Sequence, residues 1–132
     1  MLSHEKNALL TQCGPQTPMG QFMRAFWIPA MTAAEVPAAD DAPVRLTLLG
    51  ERLVVFRDTA GRVGVLEEHC PHRGASLFFG RNEEGDLRCV YHGWKYDVTG
   101  QCVELPSEGV DGNGPMCKRI RLKAYPCREG GG

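Results

Sequence analysis

From Val44 onward the chain alternates short apolar runs with polar turns. Val44 to Leu49 is the first run, followed by a turn at Gly50-Glu51. Leu53-Val54-Val55-Phe56 is the second, followed by the turn Asp58-Thr59-Ala60-Gly61, and Val63 to Leu66 is the third. Apolar runs of this length, rich in β-branched residues and joined by tight turns, predict an antiparallel meander. Leu87 to Val90, Trp94 to Tyr96, Cys102 to Leu105 and Ile120 to Ala124 continue the pattern, with a hairpin turn at Asp97 to Gly100. Upstream the texture differs. Thr17 and Pro18 read as an N-cap and a first helical position, and Met19, Phe22, Met23 and Phe26 recur at roughly helical spacing. They predict a short helix packing on a core. Pro29 and Pro37 bracket an irregular stretch, and residues 38–43 read as a loop.

The chain thus divides into an N-terminal extension with a short helix (1–43), an all-β antiparallel domain (44–127) and a Gly-rich end (128–132) whose last three glycines read as a cut end. A length of 132 residues suits one domain, and the 16 glycines and 9 prolines agree with many strands and turns. A net charge of −1 gives no reason to expect nucleic acid or an anionic membrane as partner. No apolar run is long enough to span a bilayer, and Ala8-Leu9-Leu10 is too short for the core of a signal peptide. A cytoplasmic protein is the expectation. In a reducing compartment the six cysteines read as metal ligands or buried thiols before disulfides.

Two segments carry the chemistry: Cys70-Pro71-His72 and Cys89-Val90-Tyr91-His92. Each offers one thiolate and one imidazole at the end of a predicted strand, and each is followed by a glycine, Gly74 or Gly93. Sixteen residues separate His72 from Cys89, enough for a hairpin that brings two loop tips together. Zinc in a Cys2His2 site is one reading. A zinc finger, however, groups its cysteines in one knuckle and its histidines on a following helix. Here each loop supplies one of each, and Trp94, Tyr96 and Val98 alternate as in a strand. A 2Fe–2S centre with two Cys on one iron and two His on the other fits the pairing better.

The run Cys70-Pro71-His72-Arg73-Gly74-Ala75-Ser76-Leu77, followed by Cys89-Val90-Tyr91-His92-Gly93-Trp94-Lys95-Tyr96-Asp97, resembles the Rieske domain of ring-hydroxylating oxygenases. Its wording is most similar to the phthalate dioxygenase branch. The likeness runs from Phe26-Trp27-Ile28-Pro29 to Ile120-Arg121-Leu122-Lys123-Ala124-Tyr125-Pro126, nearly the whole chain. It implies one Rieske 2Fe–2S cluster held by Cys70, His72, Cys89 and His92, with the histidines facing outward. Arg73, Gly74, Tyr91, Gly93, Trp94 and Tyr96 would surround it. It also implies an oxygenase component that takes electrons from a reductase or ferredoxin and passes them to a mononuclear iron in the same or a neighbouring subunit, in a trimer-based homo-oligomer. In the family that iron is held by two His and a carboxylate. This chain has only His4 and His69 besides the two cluster histidines, so the C-terminal catalytic domain is expected to be absent from it.

Respiratory-chain Rieske proteins resemble the pattern too, but their loop-clipping cysteines align with Ala75 and Tyr91, and a hydrogen-bonding Ser aligns with Trp94; Tyr96 aligns with a retained Tyr. The alternative reading is a free-standing Rieske ferredoxin, against which the extension up to Pro37 argues. Cys13, Cys102, Cys117 and Cys127 lack a partner at ligand spacing and read as ordinary thiols. His69 reads as a surface group, Arg73 as a screen or a partner contact, and Glu67 and Glu68 as solvated. Trp94 reads either as a wall against solvent or as core.

Overall fold

Two left-handed residues in succession, Leu49 (φ 49°) and Gly50 (φ 77°), fold strand β1 (Val44–Leu48) back onto β2 (Glu51–Arg57). This is the hairpin geometry that matches strand twist, and it places the turn one residue earlier than the sequence predicts. The structure is a computed structural model that describes residues 1–109 and 111–131, so Gly132 of the Gly-rich end lies outside the described residues. β3 (Val63–Glu67) follows β2 across the turn at Asp58–Gly61, where the Gly61 N–H donates to the Asp58 carbonyl at 2.8 Å. The Asp58 carboxylate, fully buried, accepts from the Arg62 backbone N–H at 2.7 Å and from its guanidinium at 2.6 Å. A second sheet contains β4 (Arg81–Glu83), β5 (Asp86–Arg88), β6 (Lys95–Tyr96) and β7 (Cys102–Glu104), in that order. The chain then returns, and β8 (Ala124–Tyr125) closes the first sheet as β1-β2-β3-β8. All pairings are antiparallel.

The unbroken apolar run of β2 has a physical reason. Val54 and Phe56 enter the main core with Leu66, Leu77, Leu87, Tyr96, Leu105 and Leu122. Leu53 and Val55 face the other way, with Val65, and are covered by Met31 and Val36 of the N-terminal segment. A strand with both faces covered does not alternate.

Two expectations need correction, and two elements carry no signal in the sequence. Helix α2 (Pro18–Met23) forms as predicted, with the Thr17 hydroxyl accepting the Gly20 N–H at 3.1 Å, but it does not pack its aromatics on a core. Phe22 and Phe26 are exposed, and only Gly20 is buried. Gly20 lies against the Cys13 and Gly14 carbonyls, leaving no room for a Cβ. Arg24 anchors the helix instead, donating to the Leu49 carbonyl at 2.9 Å and to Glu51 at 2.6 Å. A second helix, α1 (His4–Thr11), precedes it and carries His4; it buries no residue, so it leaves no periodic signal. β4 also escapes prediction, because Arg81-Asn82-Glu83 has no apolar residue. Finally, Ile120 to Ala124 is not one strand. Its first part bonds to the second sheet (Cys102 N–H to the Ile120 carbonyl, 3.1 Å), and only Ala124–Tyr125 joins the first.

Candidate metal centre

The two motif loops repeat one backbone pattern. In each, the Cys N–H donates to the carbonyl five residues on: Cys70 to Ala75 at 2.9 Å, Cys89 to Trp94 at 2.8 Å. In each, the glycine four residues on donates back to the Cys carbonyl: Gly74 at 2.9 Å, Gly93 at 3.0 Å. Closing that ring takes a left-handed glycine, and Gly74 (φ 71°) and Gly93 (φ 74°) supply it. The shared geometry drives Cys70 and Cys89 into the core, while His72 and His92 stay exposed. The two imidazole rings lie 4.4 Å apart, centre to centre.

The neighbours are ordered around this pair. Trp94 is buried and stacks flat on His72, at 4.4 Å with 3° between the planes, so it is at once core and wall. Tyr91, exposed, packs on His92 at 4.0 Å. The Tyr96 hydroxyl lies 3.3 Å from the Cys70 sulfur. Burial pushes the Cys70 thiol up, the Tyr96 hydrogen bond partly offsets this, and the nearby Cys89 adds to it. A metal that takes Cys70 must therefore displace a proton. His72, though exposed, is held below the usual imidazole range by partial desolvation and by its neighbours His92 and Arg73, which favours the neutral ring that a metal ligand needs. His69 is exposed and bridges to Ser76 within the first loop. Cys13 and Cys127 stand apart, one half-buried and the other exposed, whereas Cys102 and Cys117 are buried together with sulfurs 3.2 Å apart.

Two charged residues at the loop bases are structural. Glu68 is not solvated; it is 1 % exposed. Its carboxylate accepts from Arg45 and Arg52 at 2.9 Å each and from the Ser76 hydroxyl at 2.5 Å, tying the first loop's return limb to β1 and β2. Burial alone would raise this carboxyl, but Ser76, Arg45 and Arg52 outweigh it and hold it at about 2. Arg88 braces the second loop in the same way. Its guanidinium reaches Glu83 at 2.6 Å, Glu104 at 2.8 Å and the Gly93 carbonyl at 3.0 Å. The only sequence signal was position, since each charge stands within two residues of a motif cysteine.

The donor set fits a two-iron centre better than a single ion. Structural zinc needs four ligands on one ion. A Rieske centre needs only a pair on each iron, its sulfides completing both. A paired-thiol floor under a paired-imidazole rim offers that.

Comparison with known proteins agrees. The model of the Rieske [2Fe-2S] domain matches residues 26–126. The phthalate 4,5-dioxygenase oxygenase subunit of Pseudomonas putida is 53% identical over 132 residues, all of this chain and 30% of that protein. The 3-chlorobenzoate-3,4-dioxygenase oxygenase subunit of Comamonas testosteroni is 51% identical over 123 residues, 93% of this chain and 28% of that one. The chain therefore spans under a third of the length of these relatives. Among solved structures, apo dicamba monooxygenase superposes with a TM-score of 0.67 at 33% identity, over 78% of this chain and 30% of that one. NdmA of Pseudomonas putida CBB5 gives 0.68 at 30% identity, over 83% and 33%. Among the described residues no helix is long and apolar enough to cross a membrane. The chain belongs to the Rieske [2Fe–2S] domain family, in the branch of the phthalate dioxygenase-like oxygenase subunits, with one Rieske-type cluster as its cofactor.

Proposed function

We propose that Cys70, His72, Cys89 and His92 hold the cluster, and that the chain is the electron-carrying N-terminal part of an aromatic-ring-hydroxylating oxygenase subunit. In this reading residues 44–127 form the electron-carrying unit and residues 1–43 an extension packed on it. The observation that carries it is the matched pair of loops, each directing its cysteine inward and its histidine outward. A bound 2Fe–2S cluster supplies storage of a single electron. The protein's own residues do the rest. Cys70 and Cys89 provide thiolates in a dry pocket, and Tyr96 donates a hydrogen bond to one of them. Trp94 fixes the plane of His72 and keeps water from its face. The exposed imidazoles shorten the path to whatever docks at the tip. The donor is a reductase or ferredoxin. The acceptor is a mononuclear iron of the same or a neighbouring subunit, in a trimer-based assembly.

Identity to oxygenase subunits along the whole chain favours this reading over a free-standing Rieske ferredoxin. So does the N-terminal segment, where Met31 and Val36 cover the apolar face of Leu53 and Val55. Iron and acid-labile sulfide are to be measured in Cys70→Ser, His72→Ala, Cys89→Ser and His92→Ala, alongside the visible and EPR spectra of the parent chain. Each variant is expected to lose the cluster. Full cluster content in any of them removes that residue from the ligand set.

A further inference from the structure

Outside the metal centre, the second sheet holds a pair of thiols that electron transfer does not use. Cys102 lies in β7, in register with Tyr96 of β6. Cys117 opens a 3-10 turn, Cys117–Arg119, after the loop that leaves β7. Both are almost wholly buried, at 3 % and 1 % exposure, and their sulfurs are 3.2 Å apart. A disulfide bond is about 2.05 Å long, so the sulfurs need approach by only about 1.2 Å to be bonded. The turn that carries Cys117 is tied to β7, the Cys102 N–H donating to the Ile120 carbonyl at 3.1 Å. The Glu108 carboxylate accepts the Met116 and Cys117 N–H groups at 2.9 and 2.7 Å, and Met116 itself is exposed.

We propose that Cys102 and Cys117 are a redox-active dithiol, which closes to a disulfide by exchange with a low-molecular-weight disulfide of the glutathione type. Cys117 attacks first, when its turn opens beside exposed Met116 and admits the small disulfide to the buried sulfur. Its thiolate bonds to one sulfur of the small disulfide, and the departing thiolate takes up the proton that Cys117 gave up. Cys102 then attacks the Cys117 sulfur of this mixed disulfide. The protein S–S bond forms, the second small thiol leaves, and it carries the proton of Cys102. The dithiol is oxidised by two electrons and the small disulfide is reduced to two thiols. Burial, with the Cys117 thiol beside it, pushes Cys102 up to about 12, which keeps it protonated until the mixed disulfide is next to it.

Closure joins β7 to the turn across the 14 intervening residues. It fastens the edge of the sheet whose next strand, β6, carries Tyr96, and it leaves all four candidate ligands free. Constraining a loop of that length stabilises the native state chiefly by restricting the unfolded chain. The pair is therefore a clip that closes under oxidising conditions and opens when thiols are restored.

The sequence makes the test direct. No Lys or Arg lies between the two cysteines, so trypsin leaves both in one peptide, Tyr96–Lys118. The cluster-loaded chain is equilibrated without oxygen in glutathione buffers from reducing to oxidising, quenched in acid, denatured, alkylated and digested. The expected result at the oxidising end is that peptide two hydrogens lighter and free of alkyl groups. Cluster absorption should be retained, and the melting transition should rise by several degrees over the reduced sample. Cys102→Ser and Cys117→Ser should each abolish the rise. Should either variant fail to fold, the peptide map of the parent chain still decides. Full alkylation of both cysteines at the oxidising end overturns the proposal, as does stable pairing of either with Cys13, Cys127 or glutathione.

Discussion

The Tyr96 hydroxyl is both buried and committed to one sulfur. It lies 3.3 Å from Cys70 Sγ, in a fully buried side chain. A hydrogen bond to a ligand sulfur stabilises added electron density, so its loss lowers the reduction potential. Tyr96→Phe is expected to shift the midpoint downward while leaving iron content unchanged, as read by spectroelectrochemistry; an unchanged midpoint would remove the hydroxyl from the tuning. The parent value itself is expected in the lower part of the Rieske range of roughly −150 to +300 mV. Position 94 carries a tryptophan that stacks on His72 where a serine hydroxyl would donate, and Ala75 and Tyr91 cannot form a clip between the loops. Glu68 is a buried charge held by two arginines. Removing its charge leaves Arg45 and Arg52 facing a neutral amide in a buried setting. Because both arginines are partly exposed, Glu68→Gln is expected to cost about 1–3 kcal/mol rather than the full penalty of a broken buried pair. The midpoint of urea unfolding measures it.

At the scale of elements, the two loops work as a matched pair because each turns on a left-handed glycine. No atom stands within 4 Å of a Cβ added to Gly74, so alanine there meets only backbone strain, about 1–2 kcal/mol. At Gly93 the added Cβ also comes within 3.1 Å of the Pro106 ring. Gly93→Ala is therefore expected to lower the melting temperature of the loaded protein more than Gly74→Ala. Equal shifts would mean that the Pro106 contact relaxes freely. These glycines were legible in the sequence, as were the cysteines and histidines beside them, because local spacing sets a loop's chemistry. The strands β1 to β3 were legible for a similar reason, since apolar runs and turn residues are local signals. What brings the loops into place was not. Glu68 takes its partners from 23 and 16 residues away, and no local pattern announces that such a charge is buried. β4 is a strand by pairing alone, and α1 a helix capped by Ser3 with nothing to bury, so neither shows in periodicity. The aromatics of α2 misled because helical spacing speaks of a face but not of what covers it.

Glu51, at the start of β2, ties the N-terminal segment to the β8 edge of the first sheet. It binds Arg24 after α2, and Lys123 and Tyr125 at β8. Burial would raise its carboxyl, but the hydrogen bonds from Lys123, Tyr125 and Arg24 outweigh that and hold it at about 2, against 4.5 unperturbed. A depressed carboxyl contributes stability that is fully present above pH 4.5 and is lost as pH falls toward 2. The stability gap between the parent and Glu51→Gln should therefore be full above pH 4.5, about 1–3 kcal/mol after allowing for the partly exposed Lys123, and should close by about pH 2. A gap independent of pH would mean that shape rather than charge holds the three elements together. Unaided, these 132 residues are expected to carry electrons and not to oxygenate. Oxygenation by the relatives' type of chemistry calls for an iron with open positions, held by two His and a carboxylate. The chain has four histidines. Two are proposed as cluster ligands, His4 stands on α1, and His69 lies inside the first loop. Among the described residues no three suitable side chains converge. Supplied with a reductase and dioxygen, the chain is expected to take up one electron per cluster in stopped-flow bleaching and to give no hydroxylated product from phthalate or 3-chlorobenzoate. Product in proportion to chain would place a second iron site within these residues, and would require ligands other than the histidines named.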